Sequence, residues 1–367
     1  MKILYITNKI VGSGGLERVL AVKSDCLINT FKYDVYILTL NQNQKENFYD
    51  FNSKIKHHNI EVSGNPLKYF IEYRKGVKNK IAEIKPDIIS VCDDGLKGLL
   101  FPILFDNRIP VIYERHASIN LNFKGKEQVS FLKKTGSYFQ HKLMIFGAKR
   151  FDTFVVLTEG NNEDWPNVDC TVIPNPSPFP PFNDLAVKEN IVLAVGSQSY
   201  NKGYDRLINI WRKVNEKYPL WKLKIYGKQS EELKLQEKIN EFGLDECVFL
   251  NDPIKNIEEQ YKKASIFVMP SRSEGFGMVL IEAMNYGVPC VSFDCPHGPA
   301  DIIKNDEDGF LIENGNTENF ANAVISLIED KEKRERMGNN ARENVMRYMP
   351  ESIMQPWNSL FKNLVKG

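Results

Sequence analysis

Residues 266–284 read Ile266-Phe267-Val268-Met269-Pro270-Ser271-Arg272-Ser273-Glu274-Gly275-Phe276-Gly277-Met278-Val279-Leu280-Ile281-Glu282-Ala283-Met284. A short apolar run, a polar glycine-bearing turn and an apolar helical stretch follow one another. This is the strand–loop–helix unit of a parallel sheet, with the loop at the strand's carboxyl end. Gly275 and Gly277 let a ligand approach the backbone. The helix then opens with the N–H groups of Phe276, Gly277, Met278 and Val279, which its own turns leave without acceptors, so an anion is favoured there. Glu274 and Glu282 stand eight residues apart. Carboxylates are poor phosphate ligands and good hydroxyl ligands, so the expected ligand carries both a diphosphate and sugars. The structural alternative is a helix cap with Glu274 solvated and Glu282 in a surface pair.

Outward from this unit the same pattern repeats. Strands are predicted at Lys2–Thr7, Asp34–Leu40, Ile88–Val91, Pro110–Tyr113, Phe154–Leu157 and Thr171–Ile173, then at Ile191–Val195, Lys222–Tyr226, Val248–Leu250, Ile266–Met269, Pro289–Phe293 and Phe310–Ile312. Near-continuous apolar strands alternating with helices predict α/β architecture, in parallel sheets covered on both faces. Between the two series, Pro174-Asn175-Pro176-Ser177-Pro178-Phe179-Pro180-Pro181 has five prolines in eight residues, which neither helix nor central strand tolerates. The predicted organisation is a domain over 1–174, a hinge over 175–186, a domain over 187–345 and a returning C-terminal helix over 346–367. That helix is apolar along Ile353, Trp357, Leu360, Phe361 and Leu364. Ligands of open parallel sheets bind beyond the strands' carboxyl ends, so two such sheets facing each other would form a cleft there.

Composition narrows the class. The chain has 367 residues, 48 Lys+Arg against 47 Asp+Glu, and 42% hydrophobic residues. A net charge of +1 gives no bulk drive toward nucleic acid. Six cysteines, widely spaced except for Cys290-x4-Cys295, suit a reducing compartment rather than a disulfide scaffold, and no zinc-like tetrad forms around His297. The start shows no signal-peptide pattern and no apolar run is long enough to span a bilayer, so a cytoplasmic protein is expected, peripheral to a membrane at most.

Further motifs follow strands. Gly196 and Ser197 through Lys202-Gly203 offer a tight turn and a point charge for phosphate. Gly12-Ser13-Gly14-Gly15-Leu16-Glu17 approaches a dinucleotide fingerprint, but Glu17 fills the last glycine position and the next strand lacks a ribose-binding acid. A nicotinamide enzyme is therefore disfavoured, while a phosphate or an acceptor still suits the loop. Tyr113-Glu114-Arg115-His116 places a histidine at a strand end, where it could hydrogen-bond a sugar hydroxyl or assist proton transfer. Asp93-Asp94 and Asp306-Glu307-Asp308 read as loop acids rather than metal ligands. Residues 124–150 interleave Lys124, Lys126, Lys133, Lys134, Lys142, Lys149 and Arg150 with aromatic residues, which suits an anionic bilayer surface.

The ordered set of Gly14-Gly15, Glu114-Arg115-His116, Val172-Ile173-Pro174-Asn175, Lys202-Gly203, Glu274 through Glu282 and Gly298-Pro299 through Leu311 resembles the glycosyltransferases of family 4. The resemblance covers nearly the whole chain. It implies the GT-B fold, two facing Rossmann-like doubly wound domains, the first for the acceptor and the second for the donor. It implies metal-free transfer, with no cofactor, of a sugar from a nucleotide diphosphate to an acceptor, with retention at the anomeric carbon. His116, Lys202 and Glu274 become the catalytic set. Gly15, Asn175, Ser197, Lys202, Ile254, Glu274, Phe276, Gly277, Met278, Val279 and Glu282 become the donor-binding set. Glu274 would meet the transferred sugar, Glu282 the ribose, and Lys202 with the Phe276–Val279 amides the diphosphate.

Such sequences often carry arginine at the place of Ser197, so Arg206 or Arg272 would have to compensate, or Lys202 would carry more of the charge. The loop Asp294-Cys295-Pro296-His297-Gly298-Pro299 looks like that of members using UDP-sugars, and a polyprenyl-linked or other glycan acceptor in surface polysaccharide assembly fits. Two other classes remain at this stage: a nucleotide-sugar 2-epimerase on the same frame, and a non-catalytic binding subunit.

Overall fold

The computed structural model describes residues 1–42, 46–105, 108–117, 131–184 and 187–366, with backbone alone over 131–139. Two compact units emerge. The first takes Met1–Ala117, the described chain from 131 to 178, and the C-terminal helix from Pro350; the second takes Phe179–Met349.

Unit 1 runs β1 (Lys2–Ile6), α1 (Gly15–Asn29), β2 (Asp34–Leu40), β3 (Lys56–Ile60), α2 (Pro66–Ile84), β4 (Ile88–Val91), α3 (Leu96–Leu99), α4 (Phe101–Leu104), β5 (Val111–Glu114), α5 (Phe131–Ala148), β6 (Thr153–Val156) and β7 (Cys170–Val172). Its strands form one sheet in the order β3-β2-β1-β4-β5-β6-β7, every described pairing parallel. Ile3, Leu4, Tyr5, Ile88, Ile89 and Ile112 are fully buried, as strands covered on both faces require.

Unit 2 runs β8 (Ile191–Val195), α6 (Tyr204–Lys217), β9 (Lys222–Tyr226), α7 (Leu235–Glu241), β10 (Val248–Asn251), α8 (Glu258–Lys263), β11 (Ile266–Met269), α9 (Met278–Asn285), β12 (Cys290–Asp294), α10 (Pro299–Ile302), β13 (Gly309–Glu313), α11 (Thr317–Glu329) and α12 (Lys331–Asn344). Its sheet order is β10-β9-β8-β11-β12-β13, again parallel. The chain moves outward from β8 to β10 and then restarts at β11 on the other side. The β8/β11 boundary is therefore the switch point at which a parallel sheet opens a crevice for ligand, and β1/β4 is its counterpart in unit 1.

The differences from the sequence reading have physical causes. β3, Lys56-His57-His58-Asn59-Ile60, has no apolar run; as an edge strand it is largely exposed and needs none. β5 and β12 begin one residue after Pro110 and Pro289. These prolines lack an N–H, but their carbonyls still accept from Ile89 and Phe267 at 3.0 Å. The units divide at Pro178/Phe179, inside the expected 175–186 hinge. Phe179 and Phe182 pack against Tyr286 at 5.4 and 4.9 Å, and Asn285 Nδ2 donates to the Pro180 carbonyl, so 179–182 is docked on unit 2. Residues 346–349 also stay with unit 2. The returning helix is α13 (Pro350–Lys366), which lies on α1 of unit 1 with Ile353, Trp357 and Phe361 buried. No described helix is long and apolar enough to cross a membrane.

Candidate functional site

In unit 2 the carboxyl ends of β8 and β11 bring together two residues 72 positions apart. Lys202 Nζ lies 2.7 Å from Glu274 Oε1, across the switch point. The loop after β8 makes a short turn over Tyr200–Lys202 and leaves it through Gly203 at φ 69°, in the left-handed region. A Cβ at Gly203 would overlap the Pro270 carbonyl oxygen just beyond β11, so glycine is required to seat Lys202 beside the second loop. Glu274 is buried; its Oε1 also accepts from Ser271 Oγ at 2.6 Å, and its backbone N–H donates to Pro296.

Gly277, at φ 98°, caps α9, whose first residues Met278 and Val279 are half-buried. Phe276 is buried edge-on against Tyr348, and the Gly298-Pro299 turn closes on the Phe276 carbonyl so tightly that a Cβ at Gly298 would overlap it. The first-turn amides of α9 have no acceptor within the helix. They open beside the Lys202–Glu274 pair, at the same end of the sheet. Glu282, one turn into α9, is buried and accepts from the Tyr261 hydroxyl at 2.8 Å. The two glutamates thus have different surroundings: Glu274 meets a cation at the mouth of the site, and Glu282 a phenol within the fold.

Ser197 is exposed after β8, and Ile254 lies partly exposed in the loop after β10. Arg272 is held by Asp205 through two bonds of 2.8 and 2.7 Å and donates to the Tyr200 carbonyl, while Arg206 donates to Asn314. Arg272 is thus committed to Asp205, and Lys202 is the cation at the switch point. Burial pushes the neighbouring Cys295 thiol up, helped by the charge of Glu274, so it stays a neutral lining group.

Unit 1 assembles a different set. His116, after β5, has Nε2 3.1 Å from Glu114 Oε2, and its backbone N–H donates to Asp94. Glu114 is buried and also accepts from Lys23 Nζ and Ser90 Oγ, both at 2.6 Å. Burial alone would raise its carboxyl, but Lys23 and His116 outweigh that and hold it at about 2. Lys23 comes from α1 and its ammonium lies 3.3 Å from the centroid of Trp357 on α13. Lys23 and the role of Ser90 escaped the sequence reading, which placed Trp357 on the apolar side of the C-terminal helix without a partner. The available signal was a lysine on the apolar face of α1, among Val19, Leu20 and Leu27.

Cys92 joins Glu114 and His116 with ligand-type atoms within 4.8 Å. Lys23 already neutralises that carboxylate and burial keeps the thiol protonated, so the donor set does not suit a cation. At the β1/β4 switch point Asn8 donates to Asp93, and Lys97 pairs with Asp93 at 3.0 Å. Gly15 is the exposed first residue of α1, and Glu17 folds back over Gly12 and Gly14, where burial pushes its carboxyl up. Asn175 is buried beyond β7. Of the basic stretch 124–150, residues 124–130 lie outside the described residues, and the rest belongs to α5 and the turn after it.

Comparison with known proteins agrees with this architecture. The family model for glycosyl transferases group 1 matches residues 179–344, nearly all of unit 2. The amylovoran biosynthesis glycosyltransferase AmsD of Erwinia amylovora is 33% identical over 98% of this chain and 99% of its own. Among solved structures, a mutant of S. aureus TarM in complex with Fondaparinux, alpha-GlcNAc-glycerol and UDP superposes with a TM-score of 0.78 at 19% identity, covering 98% of this chain and 99% of its own. Anabaena HepE in complex with UDP and glucose gives 0.76 at 18%, covering 99% and 100%. Both units and both sheet orders fit the GT-B fold.

Proposed function

The chain belongs to the glycosyl transferases group 1 family, and from that premise we propose that it transfers a sugar, with retention and without a metal ion, from a UDP-sugar to a glycan or lipid-linked acceptor in surface polysaccharide synthesis. The observation that carries this reading is the Lys202–Glu274 pair beside the opening turn of α9. The UDP in the TarM and HepE structures supports the donor base. The name of AmsD supports the polysaccharide context.

The chemistry follows from charge. The diphosphate gains negative charge as the glycosidic bond breaks. Lys202 and the α9 amides would meet it, and their attraction grows toward the transition state, which is where catalysis arises. A diphosphate at Lys202 competes with Glu274 for the ammonium. Glu274, still held by Ser271, is then available to sugar hydroxyls as a positioning group. Glu282, one turn into the helix, is buried against the Tyr261 hydroxyl and is not placed to flank the same bond as a second catalytic acid. His116, with Nε2–H directed to the ionised Glu114, would offer Nδ1 to a hydroxyl.

A thermal-shift panel of UDP, GDP, ADP and their sugar conjugates, with and without EDTA, tests the donor site. Stabilisation by UDP compounds that EDTA does not alter is expected. Transfer from a UDP-sugar to a lipid or glycan acceptor, with the product anomer read by NMR, tests retention. Isomerised UDP-sugar without acceptor would replace the reading with an epimerase, and binding without transfer would replace it with a binding subunit.

A further inference from the structure

The Glu114 carboxylate has more partners than an anchoring ion pair needs. Its Oε2 accepts from Lys23 Nζ at 2.6 Å and lies 3.1 Å from His116 Nε2, while its Oε1 accepts from Ser90 Oγ at 2.6 Å. One oxygen atom thus serves both a lysine and a histidine. The side chains of Lys23, Glu114 and His116 are 1%, 1% and 6% exposed. His116 Nδ1 is buried as well, and it meets no hydrogen-bond partner among the described residues. Buried polar atoms are nearly always satisfied, so an open one just beyond a strand end calls for a ligand.

Charge decides the state of the ring. Glu114 is ionised and can only accept, so Nε2, the ring nitrogen facing it, carries the proton. An imidazolium would add a second cation to an oxygen already bonded to an ammonium. That would leave one unbalanced positive charge in a site closed to water, which is costly. The other titratable groups nearby among the described residues do not supply a compensating negative charge. Asp94, whose Oδ1 accepts from the His116 backbone N–H, is paired with Arg115 at 3.2 Å. Burial keeps the Cys92 thiol and the Tyr5 phenol protonated. Without Lys23 the balance reverses, and an ionised, buried Glu114 would draw a second proton onto His116. Both ring nitrogens would then be donors.

We infer that Lys23 is a positioning residue: through Glu114 it holds His116 as the neutral ring with its proton on Nε2, leaving Nδ1 to accept from a substrate hydroxyl. The returning helix α13 takes part, because the Lys23 ammonium lies 3.3 Å from the centroid of Trp357 and 5.7 Å from that of Tyr5. Those rings attract the cation and cover it, so no solvent charge replaces it. The inference rests on the role given to His116 above, but the charge and tautomer of the ring are read with no sugar nucleotide present.

The full chain is labelled with nitrogen-15 histidine and its ring signals are followed from about pH 6 to about pH 9, with His116→Gln identifying the His116 signal. Expected at about pH 7.5 is the neutral Nε2–H form in the native protein and the doubly protonated ring in Lys23→Met. Transfer from a UDP-sugar by Lys23→Met should fall at least about tenfold at about pH 7 and recover toward about pH 9. Its UDP-induced thermal shift should persist, because the donor site lies in unit 2. Should Lys23→Met not fold, Lys23→Met with Glu114→Gln removes both charges. The new amide can donate or accept, so both neutral tautomers should appear there and transfer should fall at every pH. A cationic His116 in the native protein at about pH 7.5, or an unchanged ring signal in the folded variants even where transfer falls, would overturn the inference. The expected ring signals in a native protein that transfers no sugar would overturn the transferase reading and leave the hold of Lys23 on the ring intact.

Discussion

Lys23 and Glu114 meet at 2.6 Å in unit 1, and Lys202 and Glu274 meet at 2.7 Å in unit 2. The distances are nearly equal and the surroundings are not. The first pair is 1% exposed on each side, covered by Trp357 and Tyr5; in the second, Lys202 is 25% exposed. A fully desolvated pair cannot lose one partner without stranding a charge. A pair at a crevice mouth is screened, stabilises little, and can exchange its carboxylate for an incoming anion. The same chemistry therefore anchors unit 1 and equips unit 2.

The loops that open each unit's first crossover differ in the same way. Unit 1 sets Glu17 over its glycine loop, and unit 2 sets Lys202 before α6. The first crossover loop thus presents an acid in unit 1 and a cation in unit 2. Of the two, the cation is the one that would suit the diphosphate of the proposed donor.

The largest expected effect breaks the buried pair. Glu114→Ala should destabilise unit 1 by about 3–5 kcal/mol, read by denaturant unfolding, whereas Lys23→Met combined with Glu114→Gln should recover much of that. Unchanged unfolding in Glu114→Ala would remove the contrast. Next, Lys202→Ala should lower kcat/KM for the UDP-sugar roughly 10²–10³-fold while changing stability by less than about 1 kcal/mol. Glu274→Ala should cut transfer and leave UDP affinity nearly intact, which distinguishes the sugar ligand from the phosphate ligand.

Titration sharpens the same comparison. The Glu114 carboxyl is held at about 2 against an ordinary 4.5. Its stabilisation is complete above about pH 4.5 and is lost as pH falls through about 2. The Lys23→Met/Glu114→Gln double variant should flatten that acid limb in a pH series of melting curves. Gly203→Ala should cost about 1–3 kcal/mol through its left-handed backbone and the Pro270 clash, and it should weaken UDP binding by moving Lys202. Glu17→Gln is the smallest, within about 0.5 kcal/mol, because it removes a charge that burial already disfavours; a larger loss in a denaturant titration would assign Glu17 a role beyond its own loop.

Much of the molecule was legible locally. Apolar runs of four to seven residues marked most strands, and proline and glycine marked where they stop. Glu274, Gly277 and Lys202 stood out because glycine turns and helix starts are written within a few residues. β3 was missed because an edge strand has one bonded neighbour and little core to fill. The Phe179–Phe182 segment looked like linker because prolines hide the aromatic residues that dock it on Tyr286.

The sequence by itself determined two parallel α/β units, their order, and the loops that follow their strands, since backbone periodicity and turn chemistry are short-range properties. Tertiary structure alone decided which loops meet. It placed Lys202 on Glu274 across 72 residues and buried Lys23 on Glu114 across 91. It laid α13 back on α1. Pairings at that separation depend on how sheets twist and helices pack around them. Burial, which turns one ion pair into a structural anchor and leaves the other open to a ligand, exists only once the chain has folded.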